Sequence, residues 1–176
     1  YREAKHRSND AALALVPVVD RRMPLLVESN GVVMLARAAA MGREFELDVV
    51  HLGTGGEWRR LDLVPADASL ILPLDFPAAP KVDAEADWVD VDLDELRHWD
   101  MAPENPSLLA ARGVGFAFTT HGLDAPATLW ERLRVASARG LTEDEAVAAL
   151  TVRPASFYGM DERLGRVREG ALAYLT

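Results

Sequence analysis

The sequence contains no cysteine among its 176 residues. This absence excludes disulfide bonds, thiolate metal sites and a cysteine nucleophile. No apolar run reaches the ~18–20 residues that a membrane-spanning helix requires. The opening residues, Tyr1 to Arg7, are polar and have no apolar stretch behind them, unlike a targeting segment. We therefore expect no membrane partner.

Positive charge is also scarce. Nineteen Lys and Arg residues stand against 28 Asp and Glu residues, which gives a formal net charge of −9. An acidic surface repels phosphate, so nucleic acid is excluded as an expected partner, as are anionic membrane surfaces. Apolar residues make up 49% and charged residues 27% of the chain, which is the balance of an ordinary globular domain with a sizeable core.

Apolar runs alternate with segments of helical spacing along the chain. The runs predict buried strands at Pro24 to Glu28, Leu47 to Leu52, Ala68 to Leu74 and Val114 to Thr120. A capping box, Thr142-x-x-Glu145, predicts the start of a helix that continues to about Val152. Other helices are predicted at Tyr1 to Val19, Val32 to Met41, Glu57 to Leu63, Leu93 to His98, Ser107 to Arg112, Ala127 to Arg139 and Pro154 to Tyr158, and two short strands at Leu164 to Leu175.

Strands that alternate with helices predict a parallel sheet, in which each helix forms a right-handed crossover from one strand to the next. The fold class is therefore α/β. Four strands fit either an open, doubly wound sheet or half of a closed barrel, and periodicity does not separate the two. The connection from Asp75 to Pro106 is long, acidic and rich in proline, which is typical of a functional or disordered segment.

The last helical segments carry a family resemblance. The run Ala149-Leu150-Thr151-Val152-Arg153-Pro154-Ala155, followed by Leu164-Gly165 and Glu169-Gly170, resembles the end of amidohydrolase-superfamily proteins, A-L-T-x-N-P-A and then L-G-S-L-x-x-G. The upstream order resembles strands five to eight of their barrel, in the branch near imidazolonepropionase. The resemblance implies that residues 1–160 are the C-terminal half of a TIM-like (β/α)8 barrel, and that residues 161–176 start a composite β-sandwich.

The same resemblance implies an activity. Amidohydrolases use a divalent, zinc-like metal to activate water and cleave C–N bonds other than peptide bonds in small-molecule substrates. Their ligands are two histidines on the first strand, one histidine after each of strands five and six, and an aspartate after strand eight that also serves as general base. The first strand lies outside this sequence, so the remaining three positions are the ones to compare.

All three positions differ from the family pattern. Glu28 stands where the strand-five histidine is expected. Aligning Gly53-Thr54 with the family's H-G-T places Leu52 on the strand-six ligand and His51 one residue early. His121 replaces the strand-eight aspartate, and is the candidate catalytic base.

Two interpretations of these residues stay open. In the first, an enzyme has a rebuilt site: Glu28, His51 and His121 are candidate metal ligands, and Asn30 and Asp75 candidate substrate-binding residues. His51 would join only if the strand register slipped by one residue, which turns side chains to the other face. In the second, the site is degenerate, no metal is bound, and the barrel serves as a binding or structural module.

Partners follow from the fold. A half-barrel has open sheet edges, so we expect it to pair with the missing N-terminal half or with a second copy of itself. A third possibility is a flavodoxin-like open α/β binding domain, in which the terminal Leu164-Gly165 to Glu169-Gly170 motif would have no role.

Overall fold

A computed structural model describes residues 10–82 and 91–172 of the chain. Its centre is a sheet of four parallel strands in the order β1-β2-β3-β4. The strands are β1 (Leu25–Glu28), β2 (Val49–Leu52), β3 (Ser69–Pro73) and β4 (Gly115–Thr119). The predicted α/β class, strand positions, parallel direction and spatial order are confirmed.

Helices connect and flank the strands. They are α1 (Asp10–Ala14), α2 (Val16–Val19), α3 (Val32–Glu44), α4 (Leu93–Met101), α5 (Asn105–Ala111), α6 (Leu129–Ala138), α7 (Glu143–Leu150) and α8 (Val152–Phe157), with shorter 3-10 segments at Glu57–Leu63, Ala102–Glu104 and Pro126–Thr128. The predicted cap of α7 is present, because the Thr142 hydroxyl accepts a hydrogen bond from the Glu145 amide at 3.3 Å. None of the helices in the described ranges is long and apolar enough to cross a membrane.

Two predictions differ from the structure at the ends of the chain. The opening helix is interrupted within its described part: α1 and α2 are separate, and Pro17 lies in the first turn of α2, where a missing N–H costs nothing. Residues 1–9 lie outside the described residues. Residues 161–172 form turns and bends rather than the two strands predicted from Leu164 onward. Within the described residues the sheet consists of β1 to β4, and this segment pairs with none of them. Residues 173–176 lie outside the described range.

The hydrophobic core lies on one side of the sheet. Leu70 and Leu72 of β3 and Phe116 of β4 point to this side and are fully buried. They share one cluster with residues of the surrounding helices: Leu35 of α3, Leu109 of α5, Leu133 and Ala136 of α6, and Ala149 of α7. This is the helix-covered face.

The opposite side of the sheet is less covered. We call it the open face, and define it by Leu26, Glu28, Leu52, Ile71 and Thr119, which the register places on one side. Leu26 is 52% exposed, although a parallel sheet is normally covered on both faces. If the sheet closes into the barrel that the resemblance implies, the open face is its inside and the helix-covered face its outside.

Candidate active-site rim

The carboxyl ends of the four parallel strands meet at one edge of the sheet. In (β/α)8 barrels this edge carries the chemistry. Glu28 lies directly beside Leu52 in the register of β1 and β2, and Leu52 lies beside Ile71 of β3. The three side chains therefore occupy neighbouring positions on the open face, about 4.8 Å apart from strand to strand. An acidic group next to two aliphatic groups forms this part of the rim.

His51 points away from that group. It pairs with Val27 and Leu70, one position before Glu28 and Leu52, so its side chain lies on the helix-covered face. It is 2% exposed, and its Nδ1 atom has no hydrogen-bond partner among the described residues. The structure thus separates His51 from Glu28, and the shifted register that would unite them is not adopted.

Burial lowers the pKa of His51 below its ordinary value, because an imidazolium would lose its hydration there. The folded chain therefore resists protonation of His51 while the unfolded chain accepts it. Stability is retained above about pH 6.5 and falls as the pH drops below that value.

We expect the free energy of unfolding to fall by on the order of 1 kcal/mol between pH 7.5 and 5.5, as measured by urea titration. His51→Leu should reduce this dependence, whereas His121→Gln, which changes an exposed histidine, should leave it in place. An equal pH dependence in His51→Leu and in the unaltered protein would contradict the assignment.

Asp75 and His121 lie together at the ends of β3 and β4. The turn after β4 is fixed by the Thr119 hydroxyl, which accepts a hydrogen bond from the His121 amide at 3.1 Å. Gly122 follows with φ +83°, and a Cβ atom at this position would lie 2.8 Å from Oδ2 of Asp75. The Asp75 carboxylate thus contacts the turn that carries His121, and both side chains are exposed at the rim.

The turn after β1 presents Asn30. This residue is exposed and directly precedes Gly31, whose φ of +112° begins α3. Ser29 before it is 2% exposed, and its hydroxyl has no hydrogen-bond partner. The structure therefore brings Glu28, Asn30, Asp75 and His121 to one edge of the sheet.

A buried polar network behind the rim was missed by sequence reasoning. Glu57 is 1% exposed, and its Oε1 atom accepts a hydrogen bond from the Thr54 amide at 2.7 Å. Its Oε2 atom accepts from the Asn105 side chain at 2.8 Å, and Asn105 Oδ1 accepts from the Trp58 amide at 2.7 Å. The network fixes the loop that follows β2, Gly53 to Gly56, to the start of α5.

Comparison with known proteins identifies the family. The amidohydrolase family profile matches residues 87–176, just over half of the chain.

The chain belongs to the amidohydrolase family.

A solved structure supports the same fold. The crystal structure of an amidohydrolase from Thermotoga maritima MSB8 superposes with a TM-score of 0.67 at 19% sequence identity. The match covers 89% of this chain but 38% of that one, so this chain spans well under half of the length of the Thermotoga amidohydrolase. At this identity the likeness establishes the fold alone, and the parallel sheet is consistent with part of an amidohydrolase barrel. No curated protein matches the chain significantly.

The donors on this part of the amidohydrolase fold do not form a metal site by themselves. Within residues 10–82 and 91–172, no three His, Asp or Glu side chains come together in a group that could hold one ion. Leu52, beside Glu28, offers no lone pair, and His51 faces the helices. Zinc sites ordinarily take three or four such ligands. Glu28 and His121 are the two donors that remain of the three positions compared.

Proposed function

We propose that this chain is part of an amidohydrolase barrel, in the imidazolonepropionase-like branch, that hydrolyses C–N bonds other than peptide bonds with an altered set of metal ligands. The observation that carries the proposal is the register of β1 and β2, in which Glu28 and Leu52 occupy adjacent positions on the open face. Family membership supports hydrolysis as the class of reaction. The residues at the rim support the change in ligands.

His121 is the candidate general base. Histidine is a common general base, and His121 is exposed in the turn after β4, which Asp75 approaches at Gly122. In the proposed reaction, His121 takes a proton from water as the water oxygen bonds to the substrate carbonyl carbon. The C–N bond then breaks, and the imidazolium returns the proton to the leaving nitrogen. Asn30 and Asp75, which are exposed at the same edge of the sheet, are the residues we propose to bind polar groups of the substrate.

Such a site suits activated substrates better than ordinary amides. A metal in this family polarises the carbonyl and lowers the pKa of bound water to about 7. Without tight binding of that metal, the barrier to attack on an unactivated amide stays high. We therefore propose a small-molecule substrate with a good leaving nitrogen.

The second candidate function is a binding or structural module on a catalytically degenerate barrel. Leu52 beside Glu28, and Ile71 beside Leu52, favour the binding module, since they make this part of the open face apolar. A panel of activated and ordinary amides, assayed on the full-length protein with and without a chelator, separates the two candidates. Hydrolysis that is lost in His121→Ala and retained in Glu131→Ala, a control on α6, supports the enzyme. Binding of panel compounds without turnover supports the module.

The partner we propose is the N-terminal half of the barrel or a second copy of the chain. Within the described residues, β1 and β4 each pair on one side only. Leu26, Val33 and Met34 near the β1 edge are about half exposed. An open edge beside exposed apolar groups promotes association. Sedimentation of the isolated chain should show association or aggregation, and a stable monomer of 19.2 kDa would contradict the proposal.

A further inference from the structure

Helix α4 is held to the rest of the described chain by a small number of side-chain contacts. Its last turn is joined to the end of α6, where Asp100 forms an ion pair with Arg139 at 3.0 Å. None of its residues is buried, and its apolar residues Leu93 and Trp99 are 57% and 39% exposed. One contact is a ring stack, in which His98 lies 6.3 Å from Trp58 with an interplanar angle of 19°. Another joins its first turn, where Asp94 forms an ion pair with Arg59.

The ring stack and the Asp94–Arg59 ion pair meet at one aromatic ring. The Arg59 guanidinium lies over the Trp58 ring, 4.7 Å from its centre, so the same indole contacts a cation and an imidazole. Trp58 in turn follows Glu57, the buried acid that fixes the loop after β2. Helix α4 is therefore attached next to the rim, through Trp58 and Arg59. The Trp58 amide belongs to the buried network around Glu57 that fixes the loop after β2.

We propose that α4 is a pH-sensitive latch, which is closed while His98 is neutral and is released when His98 is protonated. The proposal concerns α4 alone and holds whether or not the rim is catalytic.

The surroundings of His98 disfavour its charged form. Burial lowers the pKa of His98, and so does the positive charge of Arg59, while Asp94 and Glu57 raise it by less. Glu57 is already hydrogen-bonded to the Thr54 amide and to Asn105.

The ring nitrogens give no compensation for a new charge. Within residues 10–82 and 91–172, neither Nδ1 of His98 nor Nε1 of Trp58 has a hydrogen-bond partner, and both atoms are buried. Beyond α4, Glu104 of the following 3-10 segment is paired with Arg139 at 3.0 Å, so its charge is engaged elsewhere. A protonated His98 would place a second cation against the indole that already contacts Arg59. No residue of α4 is fully buried, so its release breaks the ring stack and two ion pairs rather than core packing.

The pH window follows from the sign of the shift. The latched state has the lower affinity for the proton, so the latch is fully formed above about pH 6.5 and weakens as the pH falls below that value. In the released state the imidazole of His98 regains water and binds a proton more readily than in the latched state.

Hydrogen exchange tests this directly. In the full-length protein, amide protection of α4, corrected for the intrinsic pH dependence of exchange, should fall about tenfold between pH 7.5 and 5.5. His98→Phe keeps an aromatic ring on Trp58 but has no proton to gain, so its α4 protection should stay constant. Helix α7 is the internal control, because a global loss of stability at low pH would lower its protection as well.

A second variant guards against misfolding. If His98→Phe does not fold, His98→Gln removes the titrating group without adding bulk, and its α4 protection should be low and independent of pH. Constant α4 protection in the unaltered protein would overturn the proposal. An equal fall of α4 protection in His98→Phe, or a fall in α7 as large as that in α4, would overturn it too.

Discussion

Replacing Glu57 by alanine is expected to lower the free energy of unfolding by about 3 kcal/mol, because it leaves two buried donors without an acceptor. Those donors are the Thr54 amide and the Asn105 side chain, which lie 2.7 Å and 2.8 Å from the two carboxylate oxygens. Each unsatisfied buried group costs about 1–3 kcal/mol. Denaturant unfolding of the purified protein measures the loss.

Two further variants make this result specific. Glu57→Gln retains one carbonyl oxygen for the Thr54 amide but turns an NH2 group toward Asn105, so it should lose roughly half as much stability. Asn105 cannot adjust by rotating its amide, since its Oδ1 already accepts from Trp58. Glu44→Ala, at an exposed end of α3, should change stability by less than about 0.5 kcal/mol. A Glu57→Ala variant as stable as Glu44→Ala would show that the network does not hold the rim loop.

Restoring the family's ligand types should create metal binding where we propose that it has been lost. The triple variant Glu28→His, Leu52→His, His121→Asp places two imidazoles and a carboxylate at the ends of β1, β2 and β4. Three such ligands and a water complete a tetrahedral zinc site. We expect the full-length triple variant to retain zinc through gel filtration, at many times the content of the unaltered protein.

A matched variant tests whether zinc retention depends on a donor atom at position 52. Glu28→His and His121→Asp combined with Leu52→Phe introduces a ring of similar size but no donor atom, so zinc retention should stay low. If the triple variant retains no more zinc than this control, Glu28 and Leu52 are not the positions that face the metal side of the barrel.

The fold could be predicted because its determinants are local. The run Leu70-Ile71-Leu72 is apolar at every position, as expected for a strand of a parallel sheet, and Thr142 with Glu145 marks the start of a helix through nearby backbone groups. The predicted strands at Leu164 to Leu175 were wrong as far as Leu172, since a strand depends on a partner that local pattern does not supply.

The rim was harder to predict, because the face of a side chain depends on register. The sequence left His51 and Leu52 as alternatives, and pairing with Val27 and Glu28 of β1 assigns His51 to the helix-covered face. The contact of Asp75 with Gly122 was hidden as well, because it joins two strand ends that are distant in sequence.

The network around Glu57 had no sequence signal. Glu57 resembles an ordinary acidic residue at the start of a helix, which normally faces solvent. Its partner Asn105 is 48 residues away, and only the packing of α5 against the 3-10 segment Glu57–Leu63 brings the two together. The same packing places Trp58 where His98 of α4 can stack on it.

We propose that this part of the amidohydrolase fold does not supply the ligands for a tightly bound metal. Elemental analysis of the full-length protein, purified without chelator and without added metal, tests it most directly. We expect zinc far below one ion per chain, and amide hydrolysis, where present, that is insensitive to a chelator. Stoichiometric zinc, together with amide hydrolysis that a chelator abolishes and zinc restores, would contradict the claim.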